Sequence, residues 1–152
     1  MGTNVMRRVL AFAFVTIFLA CGVSSHAFNK ADLDKLIATK ACQFCDLRGA
    51  DLQGADLSNA DLASANLSGA KLAKANLSGA NLAGAFLRNT DLTGANLYNA
   101  YLKNANLNWA DIRNANFAGA DLSDATFYDG KKCMENSIGG CKTPTLQGIL
   151  PQ

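Results

Sequence analysis

The chain has few of the side chains that enzymes use to move protons. Its 152 residues include one histidine, His26, and one glutamate, Glu135. Histidine is the commonest general base because its unperturbed pKa lies near neutrality. Cofactor-binding motifs are also missing, as is the GGxGxD pattern of calcium-binding repeats. These absences favour a protein that is not an enzyme and that holds no cofactor and no metal ion.

The N-terminal apolar run is too short to cross a membrane. It reads VLAFAFVTIFLA at residues 9–20, follows two arginines and precedes small residues ending in SHA. This pattern predicts a signal peptide over residues 1–27 that is cleaved after Ala27, and hence an exported protein, periplasmic or secreted. A competing interpretation treats LAC as a lipoprotein site with lipid on Cys21. The residues before that cysteine fit such a site poorly, so simple cleavage is favoured.

An excess of charge of either sign is absent from the predicted mature chain. Of the 14 Lys and Arg residues, Arg7 and Arg8 leave with the signal, so the remaining positive charges balance the 12 Asp and Glu. A neutral chain has no electrostatic basis for binding nucleic acid or acidic membranes. We therefore expect an unknown protein partner, no nucleic acid, no membrane attachment unless Cys21 is lipidated, and a monomer.

What the chain does have is a leucine at every fifth position, as in DLQGADLSNADLASANLSGA at residues 51–70. In an α-helix a step of five places each leucine about 140° around the axis from the last, so no apolar stripe forms. On a straight strand an odd step sends successive leucines to opposite faces. The pattern is consistent only if the chain bends after every unit and coils around its own core.

The last residue of each unit supplies the bend. Gly and Asn tolerate the positive φ that a sharp turn requires. They occupy this position at Gly49, Gly54, Asn59, Gly69, Gly79, Gly84, Asn89, Gly94, Asn99, Asn104, Asn114 and Gly119. The central residues run at intervals of five from Leu47 to Phe127, and the residue two places before each is Ala except at Cys45 and Thr90. Uninterrupted units therefore span residues 45–129.

This tandem A(D/N)LxG pattern resembles the pentapeptide-repeat family. The resemblance implies an all-β fold, a right-handed, four-sided (quadrilateral) parallel β-helix solenoid with one pentapeptide per side and about 20 residues per coil. Together with the composition, it divides the chain into a signal peptide (1–27), a capping helix and lead-in (28–44), the repeat (45–129), and a C-terminal cap with a disulfide loop and tail (130–152).

The segment before the repeat is suited to covering the first coil. Asn29 can cap a short helix, and Leu33, Leu36 and Ile37 fall on one helical face. A β-helix exposes unpaired strand edges and open core at its ends, which require such a lid. We expect a short N-terminal helix that packs on the coil through these three residues.

Four cysteines remain after removal of the signal: Cys42, Cys45, Cys133 and Cys141. An even number in an exported protein indicates disulfides, with three possible connectivities. In the coil that the resemblance implies, Cys45 and Cys133 would lie about 20 Å apart, too far for a bond. We therefore expect pairs 42–45 and 133–141. A redox-active pair or half of a zinc site is the alternative for CQFC, but the βαβ context and further zinc ligands are missing.

The outward side chains form four stacked columns that are mostly polar. Asp51, Asp91 and Asp111 share one column, but a flat wall provides neither the cleft nor the shifted pKa that acid–base catalysis requires. Outward aromatic residues cluster in the third and fourth coils and are candidate partner-binding residues. They are Phe86, Tyr98, Tyr101 and Trp109.

These features favour a non-enzymatic exported structural or protein-interaction module with an unknown partner. One alternative comes from the resemblance, since some pentapeptide-repeat proteins mimic DNA and bind type II topoisomerases. The other alternative is a thiol oxidoreductase that uses Cys42 and Cys45.

Overall fold

The computed structural model describes residues 28–126 and Gly139. From Ala41 onward the backbone forms parallel bridges between residues twenty positions apart, beginning with Ala41 to Asp61 and ending with Asn106 to Thr126. Twenty residues comprise four pentapeptides, so each coil has four walls, which we name after their first complete central residues: the Leu47, Leu52, Leu57 and Leu62 walls. Each wall contributes one bridging residue per coil, and no longer strand occurs among the described residues.

The interior of the coil is filled by the leucines that recur every five residues. The central residues from Leu47 to Leu107, and Leu122, are buried, whereas Ile112 and Phe117 are half-buried. Each buried leucine stabilises the fold by about 1.5–3 kcal/mol relative to an exposed one. The inward leucine pattern predicted from the sequence is therefore confirmed, except for Phe127, which lies outside the described residues.

Backbone hydrogen bonds join each coil to its two neighbours. In the unit around Leu67, the Leu67 N–H donates to the carbonyl of Phe86 and the Gly69 N–H to that of Arg88, both at 2.8 Å and both in the next coil. The Asn66 N–H donates in the opposite direction, to the preceding coil. These bonds repeat along the rod, so an inner coil is held on both sides.

Each corner is a tight turn of the type II pattern. The Ala70 N–H donates to the Leu67 carbonyl at 3.0 Å, and Gly69 between them has φ 70°. A type II turn requires positive φ at its third residue. All the predicted Gly and Asn corners have positive φ, and so do the corners at Phe44, Ser64, Lys74, Trp109 and Asp124.

The Asp or Asn that precedes each central residue completes the hydrogen bonding of the turn. The Ser68 N–H points away from both neighbouring coils and donates to the Asn66 side-chain Oδ1 at 3.2 Å. The same side-chain bond is made by Asp46, Asp51, Asp56, Asp61, Asn76, Asn81, Asp91, Asn96, Asn106, Asp111, Asn116 and Asp121. Every N–H of such a unit thereby has an acceptor.

The one interior position without alanine is also satisfied. Thr90 is fully buried, and its hydroxyl donates to the Leu67 carbonyl at 2.9 Å. A buried hydroxyl without a partner would destabilise the fold by about 1–3 kcal/mol. Thr90 therefore fits the space of an alanine without leaving a polar atom unpaired.

Helix α1 (Lys30–Thr39) lies over the first coil. Asn29 caps it by accepting a hydrogen bond from the Ala31 N–H at 3.0 Å. Leu36 is buried, and Leu33 packs partly against the core together with Phe28. The expectation that Ile37 belongs to the packing face was wrong, because its side chain is 64% exposed. Phe28, which precedes the helix, fills the flank instead.

The capping segment also pairs the strand edge of the first coil. Asp32 Oδ2 accepts the Asp46 N–H at 2.8 Å, and the Asn29 N–H donates to the Asp46 carbonyl at 2.9 Å. On the Leu57 wall, Lys40 Nζ donates to the Ser58 carbonyl at 3.1 Å. These groups occupy the hydrogen-bonding positions that a preceding coil would fill at this strand edge.

At the other end, the Gly139 N–H donates to the Ala120 carbonyl at 2.8 Å. The signal peptide at 1–27, the Cys133–Cys141 pair and the tail lie outside the described residues. Within residues 28–126, no helix is long and apolar enough to cross a membrane.

Candidate partner-binding surface

The four aromatic residues predicted to face outward do so. The exposed fractions are 48% for Phe86, 50% for Tyr98, 58% for Tyr101 and 72% for Trp109. Tyr98 and Tyr101 lie on either side of the corner between the Leu57 and Leu62 walls. Phe86 is on the Leu47 wall and Trp109 occupies the corner after it. Tyr98 and Tyr101 therefore form a pair at one corner, whereas Phe86 and Trp109 lie on another side of the rod.

Phe86 and Tyr101 stand at a position where the fold mostly uses Asp or Asn. At this position a short side-chain oxygen accepts the N–H two residues later, as Asn96 does for Tyr98 at 3.2 Å. A phenyl ring has no acceptor, and the tyrosine hydroxyl is at the far end of its ring. Each aromatic side chain therefore forgoes a hydrogen bond that contributes about 0.5–1.5 kcal/mol. The fold gives no reason for an aromatic residue at either position.

Trp109 is held in a backbone conformation that bulky residues rarely adopt. Its φ is 59°, in the left-handed region that favours Gly and Asn. Phe44 shares this feature, with φ 58° and 78% exposure, at the corner between Cys42 and Cys45. Sequence analysis missed Phe44, although counting five back from Gly49 places it at a corner.

A shallow depression lies beside the tyrosine pair on the Leu62 wall. It is open to solvent, has a volume of about 430 Å³ and is lined by Asn81, Ala83, Tyr101, Lys103 and Asp121. Hydrogen bonds from Ser123 lower the pKa of the Asp121 carboxyl below its ordinary value. The depression therefore combines an aromatic ring with one cation, one anion and an amide.

The two N-terminal cysteines lie in the core, not on the surface. Cys42 and Cys45 form a disulfide with a Cα–Cα distance of 5.3 Å, and their exposed fractions are 0% and 3%. Cys42 occupies the central position of its unit. Its N–H donates to the Asp61 carbonyl in the next coil, just as the Leu47 N–H donates to the Asn66 carbonyl. The coil thus begins one unit before the predicted 45–129 repeat. Thiol–disulfide exchange requires access to sulfur, which this burial denies.

The family profile of Pentapeptide repeats matches this chain in eight copies, over residues 42–79, 70–108 and 100–130. These matches cover more than half of the 152 residues. The chain belongs to the pentapeptide-repeat family. Membership implies the right-handed, four-sided β-helix, and the parallel bridges twenty residues apart agree with four sides of five residues.

Solved structures of other pentapeptide-repeat proteins are similar to this one. HetL, a pentapeptide repeat protein involved in heterocyst differentiation regulation in the cyanobacterium Nostoc sp. strain PCC 7120, is 44% identical over 56% of this chain, with a TM-score of 0.55. The chain spans 39% of the length of HetL. The protein alr5209 from Nostoc PCC 7120 is 35% identical, with coverage of 68% of this chain and 82% of its own and a TM-score of 0.38.

QnrB1, a plasmid-mediated fluoroquinolone resistance protein, is 20% identical over 56% of this chain and 52% of its own, with a TM-score of 0.38. No curated protein matches this pentapeptide-repeat protein. The family profile therefore shows the family of this chain, the similarity to HetL agrees with the fold of that family, and the surface of the protein itself must indicate its role.

Two aspartates of this pentapeptide-repeat protein, Asp56 and Asp111, have pKa values shifted in the direction opposite to that of a general acid. Hydrogen bonds from Ser58 lower the pKa of Asp56 to about 2, and hydrogen bonds from Arg113 lower that of Asp111 to about 2. A general acid needs a raised pKa so that it carries a proton near neutrality. In the described part of the chain, no three His, Cys, Asp or Glu side chains form a group that could hold a metal ion.

Proposed function

We propose that this protein is an exported, non-enzymatic interaction module: a rigid four-walled rod that presents the aromatic residues of its third and fourth coils to a protein partner. The observation that carries the proposal is the exposed pair Tyr98 and Tyr101 at one corner, beside the depression on the Leu62 wall. Tyr101 occupies a position at which the fold favours Asp or Asn, so its ring has no role inside the turn.

The chemistry of this surface suits a protein partner. Tyrosine and tryptophan carry much of the binding energy at protein interfaces, because each buries a large rigid surface and keeps a polar end. Lys103 and Asp121 beside Tyr101 provide charges of both signs. Charges of both signs at the rim of an interface favour one orientation of the partner, and they do not attract polyanions such as nucleic acid.

Export is part of the proposal and is supported by two features of the chain. The apolar run at residues 9–20 with its preceding arginines has the composition of a signal peptide. The Cys42–Cys45 disulfide suits an oxidising compartment. Expression with residues 1–27 and mass measurement of the exported chain would test cleavage after Ala27, and a lipid mass on Cys21 would contradict it.

The two alternative functions receive less support. The repeat at 45–129 holds nine Asp against six Lys and Arg, which is only mildly acidic for a mimic of DNA. A thiol oxidoreductase needs an accessible sulfur, whereas Cys42 and Cys45 are buried beneath α1. We therefore keep the interaction module as the proposed function.

The test is a quantitative pull-down from an exported extract of the native host. The double variant Tyr98→Ala and Tyr101→Ala should lose proteins that the wild type recovers, with at least a tenfold drop, the equivalent of about 1.4 kcal/mol. Phe44→Ala is the matched control, because it removes an exposed aromatic side chain far from the pair. Equal recovery by the double variant and the wild type would overturn the proposal.

A further inference from the structure

The Cys42–Cys45 disulfide lies where helix α1 meets the first coil. Cys42 Sγ is 3.1 Å from the carbonyl oxygen of Asp32, a residue of α1. Asp32 also accepts the Asp46 N–H through its carboxylate at 2.8 Å. One turn later, Leu36 is fully buried against the same core. The helix therefore contacts the disulfide and the coil edge through adjacent groups.

These contacts make α1 the cover of the disulfide. Both cysteine side chains are essentially inaccessible, and among the described residues the ten-residue helix α1 is the element that precedes them. A helix of this length is marginal alone, and its stability depends on the contacts that Leu36 and Asp32 make. Terminal elements of this kind open locally more readily than the interior of a rod.

We propose that reduction of the Cys42–Cys45 disulfide is gated by local opening of α1. The disulfide can be reduced when the helix moves away from the first coil, and it is protected when the helix packs on that coil. With the cap closed, an external dithiol does not reach either sulfur. With the cap lifted, it does. This inference rests on the N-terminal end of the rod and is independent of the aromatic surface.

The proposed reductant is an external dithiol, which supplies both thiol equivalents that reduction of a disulfide consumes. Its thiolate attacks one cysteine sulfur in line with the S–S bond, the bond breaks, and the other cysteine leaves as a thiolate that takes up a proton. The second thiol of the reductant then attacks the mixed disulfide and releases the first cysteine. Two electrons and two protons pass to the protein, and the reductant becomes a cyclic disulfide.

The experiment measures the rate at which dithiothreitol reduces the disulfide in the full chain isolated in oxidised form. Samples are quenched, alkylated and analysed by peptide mass mapping, which separates label on Cys42 and Cys45 from label on the other cysteines. The wild type should react at least 100-fold more slowly than the same chain unfolded in urea. Leu36→Ala should accelerate reduction at least 30-fold, the equivalent of about 2 kcal/mol.

Matched controls lie on the same helix. Ile37→Ala removes an exposed apolar side chain of similar size to Leu36 and should leave the rate unchanged. Asp34→Ala removes a carboxylate whose partner is the exposed Lys30, so it should also be silent. Asp32→Ala should accelerate reduction about fivefold or more, and Asp32→Asn should restore the wild-type rate because its amide oxygen still accepts the Asp46 N–H.

Circular dichroism of each variant verifies that the rod is intact. If Leu36→Ala unfolds the rod, the comparison of the reduction rates of Asp32→Ala and Asp32→Asn tests the proposal instead. Three results would overturn the proposal: isolation of Cys42 and Cys45 as free thiols, reduction of the folded wild type as fast as the unfolded chain, or equal rates for the Asp32→Ala and Asp34→Ala variants.

Discussion

Two glycines with nearly the same backbone conformation should respond differently to alanine. Gly69 and Gly119 have φ of 70° and 72°, and a Cβ in this region is strained by about 1–2 kcal/mol. At Gly69 a Cβ would meet nothing within 4 Å, whereas at Gly119 it would lie 2.0 Å from Asn99 Oδ1 and 3.2 Å from its Cγ. Asn99 must then leave its rotamer, which costs about 0.5–1.5 kcal/mol more.

The assay is thermal and denaturant unfolding followed by circular dichroism. Gly69→Ala should lower the free energy of unfolding by about 1–2 kcal/mol. Gly119→Ala should lower it by roughly 1.5–3.5 kcal/mol, the same strain plus the displaced Asn99 side chain. One kcal/mol shifts Tm by roughly 4–8 °C in a domain of this size, so the two variants should differ measurably.

A double-mutant cycle isolates the contact between neighbouring coils. Asn99→Gly removes the obstructing side chain and retains the corner's preference for positive φ. In that background Gly119→Ala should cost no more than Gly69→Ala does in the wild type, with a coupling energy of about 0.5–1.5 kcal/mol. Equal destabilisation by the two single alanine variants, or a coupling of zero, would refute the stacking of Asn99 on Gly119.

Three further predictions follow from the same coil. Ala85→Phe forces a ring into the fully buried interior and should destabilise the rod by at least about 1–3 kcal/mol; an unchanged thermal midpoint would contradict the inward alanine. Asn96→Ala should destabilise more than Asn106→Ala in denaturant titrations, because Asn96 closes its turn and also bonds the amides of the coils above and below, whereas Asn106 closes only its turn. Asp56 and Asp111 have pKa values lowered from 3.8 to about 2, so their stabilising effect is complete above about pH 4 and is lost as the pH falls to 2; a Tm that stays constant over pH 4 to 2 would show that these bonds contribute nothing.

Much of the fold could be predicted from the sequence because a period of five permits so few backbones. Neither a helix nor a flat strand keeps such leucines together, and the Gly and Asn residues marked the corners directly. The burial from Leu47 to Leu107 follows from that count alone. Helix α1 was predicted from its cap at Asn29, which the structure confirms.

The errors and omissions arise where periodicity alone does not determine contacts. Ile37 shares the helical face of Leu33 and Leu36, yet α1 packs through a narrower stripe and leaves it exposed. Phe44 is also exposed, because it occupies a corner of the unit before the predicted repeat, and it could have been found by counting five residues back from Gly49. The sequence pattern places Asp and Asn outward but does not show that their side-chain oxygens accept the N–H two residues later, so their role in closing each turn was missed.

That role changes how the surface of the rod should be interpreted. An outward Asp or Asn before a central residue is explained by its bond to the turn, so its presence is no sign of a binding site. Lys71 also departs from this rule, and its Nζ lies 3.7 Å from Asp51 Oδ2 in an exposed ion pair. Within residues 46–121, Phe86 and Tyr101 are the remaining departures. Each exposes an aromatic ring at the expense of a turn hydrogen bond, and this is the departure from the turn chemistry on which the proposed partner surface rests.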